Sequence, residues 1–195
     1  MDATTIDLNP QTLVIARLAD TVRDAQLTDP TPCPGCSVGS MIGHLLGLSV
    51  AFRDAGRKQL GATTDTAPDV AGTALPPGWR TELPKALQEL AAVWREPESW
   101  SGTTRAGGVD LPGAVAGAVV ADELVIHGWD LARATGQEYA PDEGALRMAH
   151  GFLAAAEDKE RGEGIFGPVV PVREDAPLLD RALGLSGRDP SWRRP

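Results

Sequence analysis

The chain has 195 residues, a formal net charge of −9 and 42% hydrophobic residues, which is enough for one buried core and most economical as a single domain. The acidic balance supplies no basic stripe to displace counterions from phosphates and argues against a nucleic-acid partner. No apolar run approaches the roughly 20 residues needed to span a bilayer, and the opening Met1-Asp-Ala-Thr-Thr-Ile-Asp7 lacks the basic and apolar regions of a signal peptide, so no membrane partner and a cytoplasmic location are expected.

In chain order, Asn9-Pro10 predicts a helix opening, with Asn as N-cap and Pro at the first helical position, and a helix running to about Gln26. Pro30, Pro32 and Pro34 forbid helix until Ser37, whose hydroxyl can cap a second helix reaching about Leu60. Residues 61–78, rich in Gly, Pro, Thr and Asp, read as a long exposed loop at the border of a binding pocket. A third helix is expected from Thr81, with Pro84 in its first turn and Pro97 ending it. Glu98 to Asp110 reads as loop with a short extended piece, and a fourth helix runs from near Leu111-Pro112 to Gly136, a natural C-cap. A further helix follows Pro141, Phe166–Arg173 reads as extended chain laid across the bundle, and a short helix covers about Pro177 to Leu183. Four main helices with apolar stripes predict an all-α helix bundle, with a core over about 9–158 and an irregular C-terminal extension over about 159–195.

The chemistry concentrates on the fourth helix. Glu123 and His127 stand four residues apart, which places both side chains on one helix face, roughly 40° apart, a common way to offer two ligands to one ion. Of the three histidines, at positions 44, 127 and 150, His44 lies beside Met41, Leu45, Leu48 and Phe52, whose spacing marks a core-facing stripe. His44, Glu123 and His127 would therefore form a mixed N/O metal site with coordination positions left open, the layout of a catalytic centre. Asp130 can accept a proton from a ligand imidazole or from substrate, or simply pack at the bundle end. His150 has no matching motif and reads as a surface or supporting residue. Trp79 and Trp129 read as structural or pocket-wall residues, and Arg53, Arg57 and Lys58 as solvated charge. Cys33-Pro-Gly-Cys36 follows a loop, not a buried strand, so an ordinary loop-to-helix junction is favoured over redox or zinc chemistry.

Thr31-Pro-Cys-Pro-Gly35, Ser37-Val and His44, taken with Glu123-x-x-x-His127-Gly-Trp-Asp-Leu-Ala132, resemble the DinB-like superfamily, and within it the actinobacterial branch that includes mycothiol-dependent maleylpyruvate isomerase. Phe166-Gly-Pro-Val-Val and Gly187-Arg-Asp-Pro-Ser-Trp192 are similar to a recurrent ending of short actinobacterial members. The resemblance implies a DinB-like four-helix bundle holding a divalent metal, usually Zn2+, on two histidines and one acidic residue, which map onto His44, Glu123 and His127. It also implies a low-molecular-weight thiol such as mycothiol as cosubstrate and an arginine that holds a substrate carboxylate, for which Arg80, after the long loop, is the candidate. Position 36 departs from the branch, which commonly carries Trp there, and the chain is too short for the isomerases' additional C-terminal domain. The expected function is a metal-dependent enzyme performing S-transfer or isomerisation on a small electrophile with that thiol. A thiol-free metal-dependent hydrolase and a non-catalytic binding or sequestration protein are the alternatives, and pairing of two chains through an exposed bundle face is left open.

Overall fold

The computed structural model describes residues 5–67, 69–156 and 166–194. Four long helices form the bundle: α1 (Asn9–Asp20), α2 (Val38–Gly56), α4 (Trp79–Val93) and α6 (Gly113–Thr135). Helix α1 packs on α4 and α6, and α2 packs on the same two, so α1 and α2 face each other across the bundle axis. Ile15 and Leu18, Met41 and Leu45, Leu83 and Leu87, and Val120 and Leu124 fill the interior from the four sides. Each such side chain, fully buried, is worth about 1.5–3 kcal/mol of transfer free energy, and their spacing of three and four residues is what made the helices legible. Trp94 and Trp100 close the bundle end: the Trp94 indole N–H donates to Phe52 O at 3.0 Å and that of Trp100 to Trp94 O at 2.8 Å.

The ends of the elements depart from expectation for identifiable reasons. Asn9 is the first helical residue, and the carboxylate of Asp7 accepts its N–H at 2.9 Å. Helix α1 stops at Asp20, six residues early, because the Gln26 side chain captures Thr135 O and the backbone N–H of Arg23, folding Asp24–Gln26 into a separate 3-10 turn. Ser37 caps α2 as expected, accepting from Ser40 N at 3.1 Å. That helix ends at Gly56, not Leu60, where Lys58 adopts φ 58° and the chain reverses. The stretch read as loop holds a short helix, α3 (Ala62–Asp65), with Thr64 fully buried. Starting at Trp79, α4 carries Pro84 in its second turn. Pro97 opens a short helix, α5 (Pro97–Trp100), and the segment to Asp110 becomes a hairpin, β1 (Thr103–Ala106) with β2 (Val109–Pro112). Its turn residues Gly107 and Gly108 both have positive φ, the geometry a tight two-residue hairpin needs.

Helix α6 ends where its sequence says, with Gly136 at φ 74° in the left-handed region. Behind it α7 (Glu143–Ala155) and α8 (Leu178–Leu185) cover a second face, burying Val125, Ile126 and Trp129 of α6 against Ala149, Leu153 and Leu183. Residues 166–173 run extended, as predicted, and Val170 N pairs with Gly184 O at 3.0 Å. The expected boundary between core and extension, near 158–159, lies outside the described residues. No described helix is long and apolar enough to cross a membrane.

Candidate metal centre

The site forms between α2 and α6, the two neighbouring helices that carry its donors. His44 projects from the buried stripe of α2, flanked by Met41 and Leu45. On α6 the i, i+4 spacing brings Glu123 and His127 to the same place. Glu123 Oε2 stands 3.0 Å from His44 Nε2 and 3.1 Å from His127 Nε2. The two imidazoles meet edge-on, ring centroids 4.9 Å apart and planes at 83°, so both Nε2 atoms converge on one point. The histidine side chains are 6% and 9% exposed and the carboxylate 21%, so Glu123 is the most exposed of the three donors.

Two imidazole nitrogens and one carboxylate oxygen, with further positions free, is a catalytic donor set for zinc or a similar ion. Tetrahedral neighbours around bonds of about 2.0–2.1 Å stand roughly 3.3 Å apart, close to the separations found here. The residues therefore fit a divalent metal. Burial opposes imidazolium, but His127 lies between two carboxylates, hydrogen-bonded to Asp130 and Glu123, and its pKa is pushed up to about 10. Burial likewise opposes ionisation of Glu123, and its contacts to His127 and His44 outweigh it, holding the carboxyl well below its usual range.

Asp130 acts through His127. Its Oδ2 lies 3.0 Å from His127 Nδ1, which orients the ring and directs Nε2 toward Glu123. Asp130 is fully buried and is held in turn by Arg188, whose Nη2 donates to Oδ2 at 3.0 Å and Nε to Oδ1 at 3.3 Å. Burial alone would raise the Asp130 carboxyl; Arg188 and His127 bring it below the ordinary value. Arg188 comes from the C-terminal extension, just after Gly187 at φ 82° and three residues beyond the end of α8. No periodicity could have flagged it.

Asp122 escaped the sequence reading, and Cys33, read there with Cys36 as an ordinary loop-to-helix junction, lies beside the site. Asp122, also buried, has an Oδ1 with no hydrogen-bond partner among the described residues, and burial with the neighbouring Glu123 charge pushes its carboxyl well above normal. Cys33 brings its sulfur within 4.8 Å of donor atoms of His127 and Asp130. The neighbouring Cys36 thiol, aided by Arg188 against the effect of burial, brings the Cys33 thiol down to about 7.

The structure does not bring Arg80 to this site. Its guanidinium caps the end of α1 at Val22 O and pairs with Asp24, stacked 4.2 Å from the Trp79 ring. The site's arginine is Arg188, supplied by a segment remote from the long loop. His150 is half-buried on α7, outside the donor groups found among the described residues. Trp79 and Trp129 are buried structural residues, and Trp129 also lines a surface recess of about 540 Å³ with Arg133, Tyr139 and Leu179. Arg53 is less free than its position suggested, paired with Asp54 and Glu89, and Lys58 donates to Ser99 O. The long loop does reach the start of α2, near the site: Val70 O lies 3.6 Å from Cys36 Sγ, and a Cβ at Gly43 would come within 2.8 Å of Ala74 O.

Residues 8–132 match the family described as the mycothiol maleylpyruvate isomerase N-terminal domain. The uncharacterized proteins MT0763 and Rv0738 of Mycobacterium tuberculosis (strains CDC 1551 / Oshkosh and ATCC 25618 / H37Rv) are each 30% identical over 179 residues, covering 89% of this chain and 91% of theirs. Among solved structures, the mycothiol-dependent maleylpyruvate isomerase superposes with a TM-score of 0.54 at 18% identity, over 73% of this chain and 65% of the isomerase. A mutant form of that enzyme superposes with a TM-score of 0.51 at 17% identity. This chain thus spans just under two thirds of the isomerase's length, and the likeness places the bundle in the all-α, DinB-like fold. On the match across most of its bundle, the chain belongs to the mycothiol maleylpyruvate isomerase N-terminal domain family.

Proposed function

We propose that the protein is a divalent-metal enzyme that uses a low-molecular-weight thiol, mycothiol in the cell, for S-transfer or isomerisation of a small electrophilic substrate. The observation that carries this reading is the meeting of His44 Nε2, Glu123 Oε2 and His127 Nε2 within 3.0–3.1 Å contacts across two helices, in a chain of this family. These three residues would hold the ion, Zn2+ by donor preference. When bound, such an ion lowers the pKa of a thiol that ligates it and so supplies thiolate near neutral pH. The protein's own contribution is positional. Asp130 fixes the His127 tautomer, Arg188 neutralises Asp130, and the buried walls from Met41, Leu45 and Leu124 exclude water from the inner side of the donors. Asp122, whose burial and neighbouring Glu123 charge raise its carboxyl well above the ordinary value, lies beside the site.

The test is metal content by elemental mass spectrometry on untagged protein, followed by visible spectroscopy of the cobalt-substituted form on adding mycothiol. Stoichiometric metal, abolished in His44→Ala and Glu123→Ala, with a new sulfur-to-cobalt charge-transfer band on thiol addition, is the expected result. Metal binding without any spectral response to thiol would discard the cosubstrate, and failure to bind metal would discard the centre.

A further inference from the structure

Cys33-Pro34-Gly35-Cys36 forms a β-turn: Cys36 N donates to Cys33 O at 3.1 Å, Pro34 occupies the first central position and Gly35 takes φ 73° at the second. Pro followed by a positive-φ glycine is the type II pattern, and it holds the first and fourth Cα atoms within about 7 Å. A disulfide needs Cα atoms about 4.4–6.8 Å apart, a range that such a turn overlaps. Both cysteines are free thiols. They are not equivalent. Cys33 is half-buried, with its sulfur within 4.8 Å of donor atoms of His127 and Asp130. Cys36 is 3% exposed, packed under the turn with its sulfur directed at Ser37 O and Val70 O. A half-buried cysteine followed on the same turn by a buried one is the arrangement of an attacking and a resolving thiol.

We infer that this turn is a redox-active dithiol that reduces low-molecular-weight disulfides beside the candidate metal centre. The thiolate of Cys33 attacks one sulfur of a disulfide RSSR, forming a Cys33–S–S–R mixed disulfide and releasing RS−. Cys36 gives its proton to solvent and attacks the Cys33 sulfur, closing the Cys33–Cys36 disulfide and releasing a second RS−. Both released thiolates take up protons, so RSSR gains two electrons and two protons and the dithiol loses the same. An excess of free thiol runs the exchange backwards and restores the dithiol. The sequence alone favours an ordinary junction here because no strand precedes the pair; the turn geometry and the unequal burial of the two residues replace that missing context. The inference stands apart from the thiol-cosubstrate reading, because it requires no metal and no electrophile.

Reduced full-length protein treated with bis(2-hydroxyethyl) disulfide and followed by intact mass spectrometry tests it. The wild type is expected to lose two hydrogens, with both cysteines then closed to iodoacetamide. Cys36→Ala is expected to stop at one 2-hydroxyethylthio group on Cys33, and Cys33→Ala to take up none. Because a variant at the buried position can misfold, pulsed alkylation of the wild type gives a second reading, in which Cys33 should react at least about tenfold faster than Cys36. Accumulation of the mixed disulfide in wild type without closure, or equal alkylation of the two cysteines, would overturn the proposal. Because no step uses metal, this failure is distinguishable from failure of metal or mycothiol binding.

Discussion

His127 joins Glu123, Asp130 and, through Asp130, Arg188, and each link has a separable consequence. Replacing Asp130 with Asn keeps the shape but removes the charge that fixes the ring; metal affinity should fall about 10–100-fold in a chelator competition, with the fold intact by circular dichroism. Arg188→Met should act mainly on stability. It leaves the fully buried Asp130 carboxylate without its cation, a loss of about 3 kcal/mol in urea unfolding. The metal-free site also sets a pH response. The His127 pKa is raised from 6.5 to about 10, so its stabilisation is complete below pH 6.5 and disappears as pH rises through 10. Glu123 is depressed below 4.5, so its contribution is complete above that value and is lost as pH falls. In chelator, the melting temperature should therefore decline between pH 6.5 and 10, and His127→Gln should flatten that decline.

Helix α6 is the element on which the rest depends, since its two faces belong to different clusters: Leu124 and Leu131 to the bundle, Val125, Ile126 and Trp129 to the α7–α8 layer. Gly128, next to the candidate ligand His127, is one of the places where α6 comes close to its neighbours. A Cβ there would lie 2.6 Å from Ile15 Cδ1 and 2.8 Å from the Tyr139 hydroxyl. That hydroxyl donates to Val125 O and accepts from the fully buried Gln11 amide, so the tyrosine has little freedom to withdraw. Gly128→Ala should cost about 1–3 kcal/mol by overpacking despite the better helix propensity of alanine, and chemical denaturation would read it. A neutral or stabilising result would show that Ile15 yields by a rotamer change.

At the scale of the whole molecule, the C-terminal segment is part of the site as well as of the surface. Helix α8 covers Trp129, Arg188 reaches Asp130, and Arg133 donates to Trp192 O. Truncation after Ala176 should uncover the apolar face of α6, lower the melting temperature and weaken metal binding together. With the full chain, bundle and extension should unfold in one cooperative transition, coincident by tryptophan fluorescence and circular dichroism. Two separate transitions would mean that the extension is an independent unit and that its arginine reports on docking alone.

The sequence by itself determined the bundle, because apolar side chains at three- and four-residue spacing have only one way to leave water, and it determined the pairing of Glu123 with His127, because that spacing is local helix geometry. It also placed Ser37 and Gly136 at their helix ends, where capping and positive φ are properties of single residues. Tertiary structure decided the early end of α1, where the Gln26 side chain captures Thr135 O from another helix, and the separation of Arg80 from the site. Tertiary packing alone brought Arg188 to Asp130 and the Cys33 sulfur close to His127, since these contacts join segments 58 and 94 residues apart whose meeting leaves no periodic trace in the chain.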